Sequence, residues 1–567
     1  MTASALLERR VQSDEASQAS GVSGRWCAMR DGLKAAVTTR PGMPAVVGGV
    51  WFVLTFGLVM WMWGLNPLVF PSPDEAVVRY SAQLIGEHGS PILPLHFDDP
   101  EDLAHPRSWV TLGSSAVPTY APASLYAFGY LMRLGQFGLF LIMVLPATAV
   151  GAFAAGTAHL LPPGRRWLAF FAPLLAFPAF YWLVRPWANH SPMLAGVTWS
   201  FFFWARWRRF DGLRDLSLSA LCIGVAAAVR PDYAGFLLLA ALLASLAASP
   251  PQWKRTFILF SVAGVLALGS NLFLNKLLTG HPLQAAYQVA LERQWGPQDA
   301  GATKIPGLGI LKMLLVPMGW PVPHVAVKAF LKYWVRMGPI AMVLVGQLTI
   351  IPLLRNKSWL ARTLYGALFF WCAFFIFTRL HDDVFGGNVR FGWAEHSVPR
   401  YLTPAYLIAA VPPILFLGRC RRALFFPGLV VTLAVASAAL YEIGVRQPSS
   451  FQYLHDYVPQ KQTLLDELRA EIPEHSMVYT VTSDKIIWSA WPLGTIDDLR
   501  LSASSMARAF DAGFNVFMLD PKFQSPSHHR LSAMLGKNQF VLVPVNVPHG
   551  VYRMQRGVTL WPEGARD

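Results

Sequence analysis

The chain alternates between long runs of apolar residues and shorter polar segments. Eleven apolar runs have about the length that a helix needs to cross a hydrocarbon layer about 30 Å thick. Polar Arg230-Pro231-Asp232-Tyr233 separates the fifth run from the sixth, and one buried helix broken there is the alternative. The pattern predicts transmembrane helices at roughly 45–64, 137–160, 167–184, 190–206, 216–230, 233–249, 256–274, 337–354, 363–378, 402–418 and 423–441.

Basic residues between the apolar runs set the predicted orientation of the chain. With eleven spans, five short basic loops fall on one side of the membrane, which the positive-inside rule assigns to the cytoplasm. The N-terminus is then inside and the C-terminus outside. The five loops contain Arg165 and Arg166; Arg206, Arg208, Arg209 and Arg214; Lys254 and Arg255; Arg355, Lys357 and Arg362; Arg419, Arg421 and Arg422.

The polar segments on the predicted outer face are long, at about 65–136, 275–336 and 379–401. They are rich in Trp, Tyr, His, Arg and Pro, so we expect them to be ordered and functional rather than disordered. Residues 1–44 are polar with mixed charge and are predicted to be a disordered cytoplasmic tail. Residues 45–444 are predicted to be the membrane domain.

Residues 445–567 alternate between amphipathic segments and short apolar segments, which is typical of a compact α/β layer fold. We predict a small soluble domain on the outer face, acting as a lid or an interaction module. The fold class is therefore a polytopic α-helical membrane protein with amphipathic helices on its outer face and a C-terminal α/β domain. The predicted elements of this domain are helices near 464–472, 502–510 and 530–535 and strands near 477–482, 515–519, 540–545 and 551–554.

Composition supports this class of protein and excludes others. The chain is 54% hydrophobic and 14% charged, with a mean hydropathy of +0.39, whereas water-soluble proteins carry about 25% charged residues. Its net charge of +15 is spread over short loops rather than one face, which argues against binding of nucleic acid. Cys27, Cys222, Cys372 and Cys420 lie in apolar runs or predicted cytoplasmic segments and imply no disulfide.

Two adjacent acids, Asp74 and Glu75, follow a pair of prolines just after the first apolar run. The residues after them, 77–89, have the spacing of an amphipathic helix that lies along a membrane surface. The acids could cap this helix, because carboxylates satisfy the free N–H groups of its first turn. A carboxylate at membrane level can also act as a general base, since its surroundings tune its pKa.

Cations on the same predicted face favour the catalytic interpretation. Arg230 lies at a span end, where it either binds substrate or pairs with Asp232, and Lys276 either binds substrate or extends to lipid headgroups. Arg400 opens the tenth span and could bind a phosphate bidentately. Together they suit a substrate with a phosphate at the headgroup level and a tail in the bilayer.

The segment 379–401 is the densest polar cluster of the outer face, and it contains His396. His381, Asp382 and Asp383 match the spacing of no standard metal site. We therefore predict no metal ion and no other cofactor, although a divalent cation would be compatible with the chemistry.

The pattern resembles the C-type superfamily of integral-membrane glycosyltransferases, which includes protein O-mannosyltransferases and lipid A aminoarabinose transferases. The likeness extends over about 45–441 and rests on the order and sidedness of short motifs. The motifs are Pro73-Asp74-Glu75-Ala76, the helix after it, Arg230-Pro231, the segment Asn275 to Pro282, and Arg400-Tyr401-Leu402-Thr403-Pro404.

The resemblance implies roles for individual residues. Asp74 would be the catalytic base and Glu75 a supporting or acceptor-binding acid. Arg230, Lys276 and Arg400 would bind the donor phosphate. Tyr287 and Tyr401 would line the site, and His190 and His396 complete the set of candidate substrate-binding residues.

The chain departs from this superfamily in the second outer turn. Several relatives have an acid there, whereas this chain has Arg185-Pro186-Trp187-Ala188-Asn189-His190. Asn189 or His190 could replace that acid.

The resemblance implies an inverting glycosyltransferase that moves a sugar from a polyprenyl-phosphate donor to an envelope glycan, lipid or protein at the outer face of a membrane. A bacterial inner membrane is the expected location. The alternatives are a transporter or flippase of lipid-linked sugars, favoured by a broken helix at Arg230–Tyr233, and a catalytically inactive envelope-assembly protein.

Overall fold

A computed structural model shows a mostly helical chain with a mixed β-sheet in its C-terminal part. The described residues are 42–64, 67–70, 72–95, 103–105, 108–231, 238, 252–286, 289, 403–441, 451–480, 483–487, 490–496, 499–519, 526–537, 539–546 and 549–557.

Within the described residues, the membrane part consists of helices and one small β-sheet. The helices are α1 (Gly42–Trp63), α2 (Pro73–His88), α3 (Pro122–Met132), α4 (Gln136–Leu160), a 3-10 helix (Pro163–Phe171), α5 (Ala172–Leu175), α6 (Phe177–Leu183), α7 (His190–Phe210), α8 (Leu213–Val229), α9 (Gln252–Thr279), α10 (Thr403–Arg419) and α11 (Arg422–Tyr441).

Helices α1, α4 and α9 are long and apolar enough to cross a membrane, and they coincide with predicted spans 45–64, 137–160 and 256–274. Helices α7, α8, α10 and α11 occupy four more predicted spans. Spans 337–354 and 363–378 lie outside the described residues, as does 233–249 apart from Leu238. The count of eleven and the orientation stay predictions.

The predicted span 167–184 is not one continuous helix, and this corrects the sequence interpretation. The 3-10 helix, α5 and α6 occupy it as three consecutive pieces. Pro173 and Pro178 each stand at the start of a new piece. A proline has no N–H for the helical ladder and clashes with the preceding turn, so each of them favours a break.

Close contacts between small residues hold the membrane helices together. A Cβ placed on Gly151 of α4 would lie 2.8 Å from the carbonyl oxygen of Gly48 in α1, so only glycine permits this approach. Helices α7 and α8 are joined by the hydroxyls of Ser200 and Ser219, each donating 2.9 Å to the other's carbonyl oxygen. These contacts form a single packed bundle on which the outer elements rest.

The first outer segment folds into a helix, a small sheet and a second helix. Its strands are β1 (Leu93–Pro94), β2 (Trp109–Leu112) and β3 (Ser115–Pro118), with β3 antiparallel to both others. Helices α2 and α3 flank this sheet in sequence and pack tightly on each other. Their approach at Gly129 is so close that a Cβ on this residue would collide with Ile85. The packing fixes the position of α2, which carries the two acids.

The C-terminal part contains a five-stranded sheet in the order β5-β4-β6-β8-β7, in which β5, β4 and β6 are parallel and β8 and β7 antiparallel. All four predicted strands and three predicted helices have counterparts, with 515–519 matching in full. The strands are β4 (Ser476–Thr480), β5 (Leu493–Thr495), β6 (Asn515–Leu519), β7 (Phe540–Asn546) and β8 (Val551–Arg556). The helices are α12 (Phe451–Glu471), α13 (Asp484–Ile487), α14 (Leu499–Asp511) and α15 (Pro526–Lys537).

The C-terminal part is packed against the membrane helices and the first outer segment. In α12, the ring of His455 stacks on Trp61 of α1 at 4.1 Å between centroids, and Phe451 contacts Tyr181 at 5.4 Å. Ala104, from the first outer segment, is buried in the apolar core of the sheet. The first outer segment therefore touches both the membrane bundle and the C-terminal sheet.

Candidate functional site

The candidate site is built on the first turn of α2. Ser72 is the N-cap residue of this helix, and its hydroxyl accepts a hydrogen bond from the Asp74 N–H at 3.2 Å. Ser72 thus performs the capping role that the sequence also allowed for the acids. The side chains of Asp74 and Glu75 point to different environments, so the two adjacent acids have different roles.

Asp74 is partly exposed, and its carboxylate Oδ1 accepts a hydrogen bond from the hydroxyl of Tyr120. Tyr120 stands between β3 and α3, so the small sheet and the second helix both position it. This hydrogen bond orients the carboxylate. Asp74 is therefore an accessible, oriented carboxylate, as a general base must be.

Glu75 is buried, at 1% exposure, and forms a bidentate ion pair with Arg185 of the second outer turn. The Arg185 Nε donates to Glu75 Oε1 at 2.8 Å, and its Nη2 donates to Oε2. The guanidinium is itself 3% exposed and lies 4.7 Å from the centroid of the Trp182 ring. The pair joins α2 to the turn after α6.

The environment of Arg185 keeps it charged. Burial on its own lowers the pKa of an arginine, but the Glu75 carboxylate outweighs burial and raises the pKa of Arg185 above its ordinary value. Because both ions are buried, each one depends on the other for charge compensation. The second outer turn thus supplies a cation for Glu75.

A second buried arginine, Arg79, lies one turn further along α2. Its guanidinium stands 5.0 Å from the centroid of the Trp187 ring, and its Nη1 donates to Met132 Sδ at 3.2 Å. Burial lowers the pKa of Arg79 to about 10 and raises the pKa of Tyr80 to about 12, so both keep their ordinary protonation at neutral pH. Arg79 therefore adds a buried positive charge one helical turn after Glu75.

Asn189 and His190, the two possible replacements for the missing acid, are both buried at 2% and 3% exposure. The ring of His190 lies 5.9 Å from that of Trp182, beside the ion pair of Arg185. Among the residues that the structure describes, the buried Asn189 Nδ2 has no hydrogen-bond partner. Both residues are therefore buried in the second outer turn, close to the ion pair of Glu75 and Arg185.

Arg230 and Lys276 stand at the ends of α8 and α9. The Arg230 N–H closes α8 by donating to the Ala226 carbonyl at 2.9 Å, and Lys276 is exposed in the last turn of α9. Asn271 of α9 donates to the Ala228 carbonyl of α8 at 3.1 Å, so these two helix ends are joined. Helix α3 contacts α2, α8 and α9, so the helix that carries Asp74 and the two helices that end near these cations share one neighbour.

The remaining predicted site residues, Tyr287, His396, Arg400 and Tyr401, lie outside the described residues, as do His381, Asp382 and Asp383. Within the described ranges, no three His, Cys, Asp or Glu side chains form a group that could hold a metal ion.

Sequence reasoning missed two partners of the acids, Tyr120 for Asp74 and Arg185 for Glu75, and it missed the burial of Arg79. Arg185 carried a usable signal, because an arginine in a short outer turn beside two aromatic residues needs a buried acid if it folds inward. Tyr120 carried no local signal, since it is 46 residues from Asp74 and only the fold brings them together.

The chain is a mostly helical membrane protein. No protein-family model matches it, and no curated protein matches it in sequence. Among solved structures it is similar to the cryo-EM structure of the arabinofuranosyltransferase AftD from Mycobacteria, with a TM-score of 0.50 and 12% identical residues. The match covers 90% of this chain and 41% of AftD, so the chain spans less than half the length of that glycosyltransferase, and the likeness concerns the fold.

Proposed function

We propose that this protein is a glycosyltransferase that moves a sugar from a polyprenyl-phosphate donor to an envelope glycan, lipid or protein. The observation that carries the proposal is the Asp74 carboxylate, partly exposed at the start of an amphipathic helix and hydrogen-bonded to Tyr120. The fold shared with the glycosyltransferase AftD supports the same class of reaction.

In the proposed reaction, Asp74 accepts the proton of an acceptor hydroxyl as that oxygen attacks the anomeric carbon of the donor sugar. The bond from the anomeric carbon to the phosphate oxygen breaks in the same step, and the polyprenyl phosphate leaves. A direct displacement of this kind inverts the anomeric configuration. No metal ion or other cofactor takes part in the proposed step.

Cations would stabilise the charge that develops on the leaving phosphate. Arg230 and Lys276 lie at two helix ends that are joined to each other, and we assign them to the donor phosphate together with Arg400. Tyr287, Tyr401 and the histidines His190 and His396 remain candidates for contact with the sugar and the acceptor.

Glu75 would act through the fold rather than on the substrate. Its carboxylate accepts hydrogen bonds from the Nε and the Nη2 of Arg185 and is almost fully buried. It is therefore poorly placed to contact an acceptor hydroxyl. We infer that Glu75 positions the first turn of α2 and thereby Asp74. The membrane part, 45–444, would carry the reaction on the outer side of a bacterial inner membrane, and residues 445–567 would form the domain that lies over it.

The proposal is tested with the purified full chain in detergent, a panel of short synthetic polyprenyl-phosphate sugars, and crude envelope extract as the acceptor. Wild-type protein should consume a donor and Asp74→Asn should not. The matched control is Glu87→Gln, which removes an exposed carboxylate from the same helix and should leave the rate unchanged.

Near-normal turnover by Asp74→Asn would remove Asp74 from the reaction. If the folded wild-type protein consumes no donor of the panel, yet moves labelled lipid-linked sugar across a liposome bilayer, the chain is a transporter instead.

A further inference from the structure

A cavity of about 450 Å³ opens on the surface of the C-terminal sheet, between α14 and the strands β7 and β8. None of its lining residues belongs to the candidate transfer site. It is lined by Ser504, Arg508, Asp511, Gln539, Phe540 and Arg556. Its volume lies in the range of small-molecule sites in proteins, which is roughly 300–1,000 Å³.

The charged side chains of the cavity favour an anionic ligand, since two arginines face a single aspartate. The Arg556 Nη2 donates to Asp511 Oδ1 at 2.7 Å, and both side chains are exposed, at 71% and 55%, so a ligand can reach them. Arg508 donates from its Nη2 to the hydroxyl of Ser504 at 3.2 Å. A guanidinium has five donors in a fixed plane and binds carboxylate or phosphate bidentately, so both arginines can take part in recognition.

The floor of the cavity is aromatic. The ring of Phe540 packs on Phe510 at 5.2 Å between centroids, and the Arg556 guanidinium lies 6.0 Å from the centroid of the Phe540 ring. Phe540 is only 5% exposed, so the groups that a ligand can reach are the polar side chains around this floor. Their hydrogen-bond donors and acceptors suit the hydroxyl groups of a sugar.

The rim of the cavity contains a residue in a conformation that is uncommon for side chains other than glycine. Gln539 has φ of +61°, and it is held there by hydrogen bonds from its N–H to the Gly536 carbonyl at 3.1 Å and from the Gly557 N–H to its own carbonyl at 3.0 Å. Such conformations persist where the surrounding structure enforces them, and they cluster at ligand-binding sites. The side chain of Gln539 is exposed beside the two arginines.

We propose that this cavity binds an acidic saccharide, a mono- or disaccharide unit that carries a carboxylate or a phosphate group. Arg508 and Arg556 bind the acidic group, and Asp511 and Gln539 bind hydroxyls. The proposal goes beyond the transfer reaction and does not depend on Asp74.

The test is calorimetric titration of the purified full chain with digalacturonic acid, glucose 1-phosphate, maltose and inorganic phosphate. One or both acidic saccharides should bind, and maltose should bind at least about tenfold more weakly, because it lacks the charge-assisted hydrogen bonds. The first two ligands distinguish a carboxylate from a phosphate as the recognised group. Inorganic phosphate binding as tightly as both saccharides would overturn the proposal, as would no binding at all.

Variants locate the binding in the cavity. Arg508→Gln should weaken it about tenfold or more, and Arg556→Lys should also weaken it, since lysine keeps the charge but lacks the planar fork. The control Arg469→Gln changes an exposed arginine of α12 outside the cavity and should bind as wild type does. Thermal unfolding of each variant shows whether it is folded.

Unchanged binding by folded Arg508→Gln and Arg556→Lys would contradict the proposal. Asp74→Asn should bind the saccharide as tightly as wild type does, so failure of the transfer reaction and failure of this site are separate results.

Discussion

The Glu75–Arg185 ion pair is the contact in the candidate site whose loss we expect to cost the most stability. Both side chains are almost fully buried, at 1% and 3% exposure, and they meet through two parallel hydrogen bonds. Removing one partner leaves a buried charge without compensation, which costs about 3–5 kcal/mol. Glu75→Met and Arg185→Met should each lower the free energy of unfolding by about this amount.

The double variant distinguishes an ion pair from two independent contacts. With methionine at both positions no charge is buried, and replacing a buried ion pair by apolar side chains of similar volume is often close to neutral. We therefore expect the double variant to be more stable than either single variant. The assay is reversible unfolding in mixed detergent micelles, followed by tryptophan fluorescence and evaluated as a double-mutant cycle.

A matched control comes from a second arginine–carboxylate pair on the same bundle. Arg206 lies 3.3 Å from Asp215, and the side chains of the two residues are 42% and 11% exposed. Because solvent reaches the arginine and screens this pair in part, Arg206→Met should cost clearly less than Arg185→Met. If the losses of Glu75→Met and Arg185→Met simply add in the double variant, or if Arg206→Met costs as much as Arg185→Met, the reasoning about the buried pair is refuted.

Three further predictions concern the surroundings of Asp74. Tyr120→Phe removes a hydrogen bond to a carboxylate and should lower the rate of sugar transfer about tenfold or more at unchanged donor affinity; an unchanged rate would show that the bond does not orient the base. Gly129→Ala forces α3 away from Ile85, and overpacking should lower the free energy of unfolding by about 1–3 kcal/mol, which the same fluorescence titration measures. Burial raises the pKa of Tyr80 from 10.0 to about 12. The resulting contribution to the free energy of unfolding is fully present below pH 10, where the phenol is neutral in both the folded and the unfolded chain. This stabilisation, at most about 3 kcal/mol, is lost as the pH rises through 12; Tyr80→Phe should lose less stability than wild type between pH 10 and 12, and equal slopes would contradict the shift.

The sequence predicted the elements that depend on local patterns. Long apolar runs locate α1, α4 and α9, and the short apolar run of β6 is bounded by Gly513 in its turn and lies on the strand 515–519 as predicted. Such signals involve residues that are close together in the sequence, so they can be recognised without knowledge of the fold. The break at 167–184 was also present in the sequence as prolines, but the high apolar content of the run concealed it.

The contacts of the site could not be predicted in the same way. Glu75 and Arg185 are 110 residues apart, and the two partners are adjacent only because α2 lies against the turn after α6. The local pattern did not distinguish the two neighbouring acids, and only the resemblance assigned Asp74 as the base. The fold gives them different surroundings, one partly exposed beside Tyr120 and one buried. This difference depends on tertiary packing, which no local pattern encodes.

The most direct test of the proposed function is the rate of polyprenyl phosphate release at saturating donor and acceptor, measured for wild type and Asp74→Asn together with the affinity of each for the donor. If Asp74 is the base of the transfer, the rate should fall by about 10²-fold or more while donor affinity and the unfolding transition stay unchanged. A variant that releases polyprenyl phosphate at the wild-type rate would contradict the assignment of Asp74 as the base.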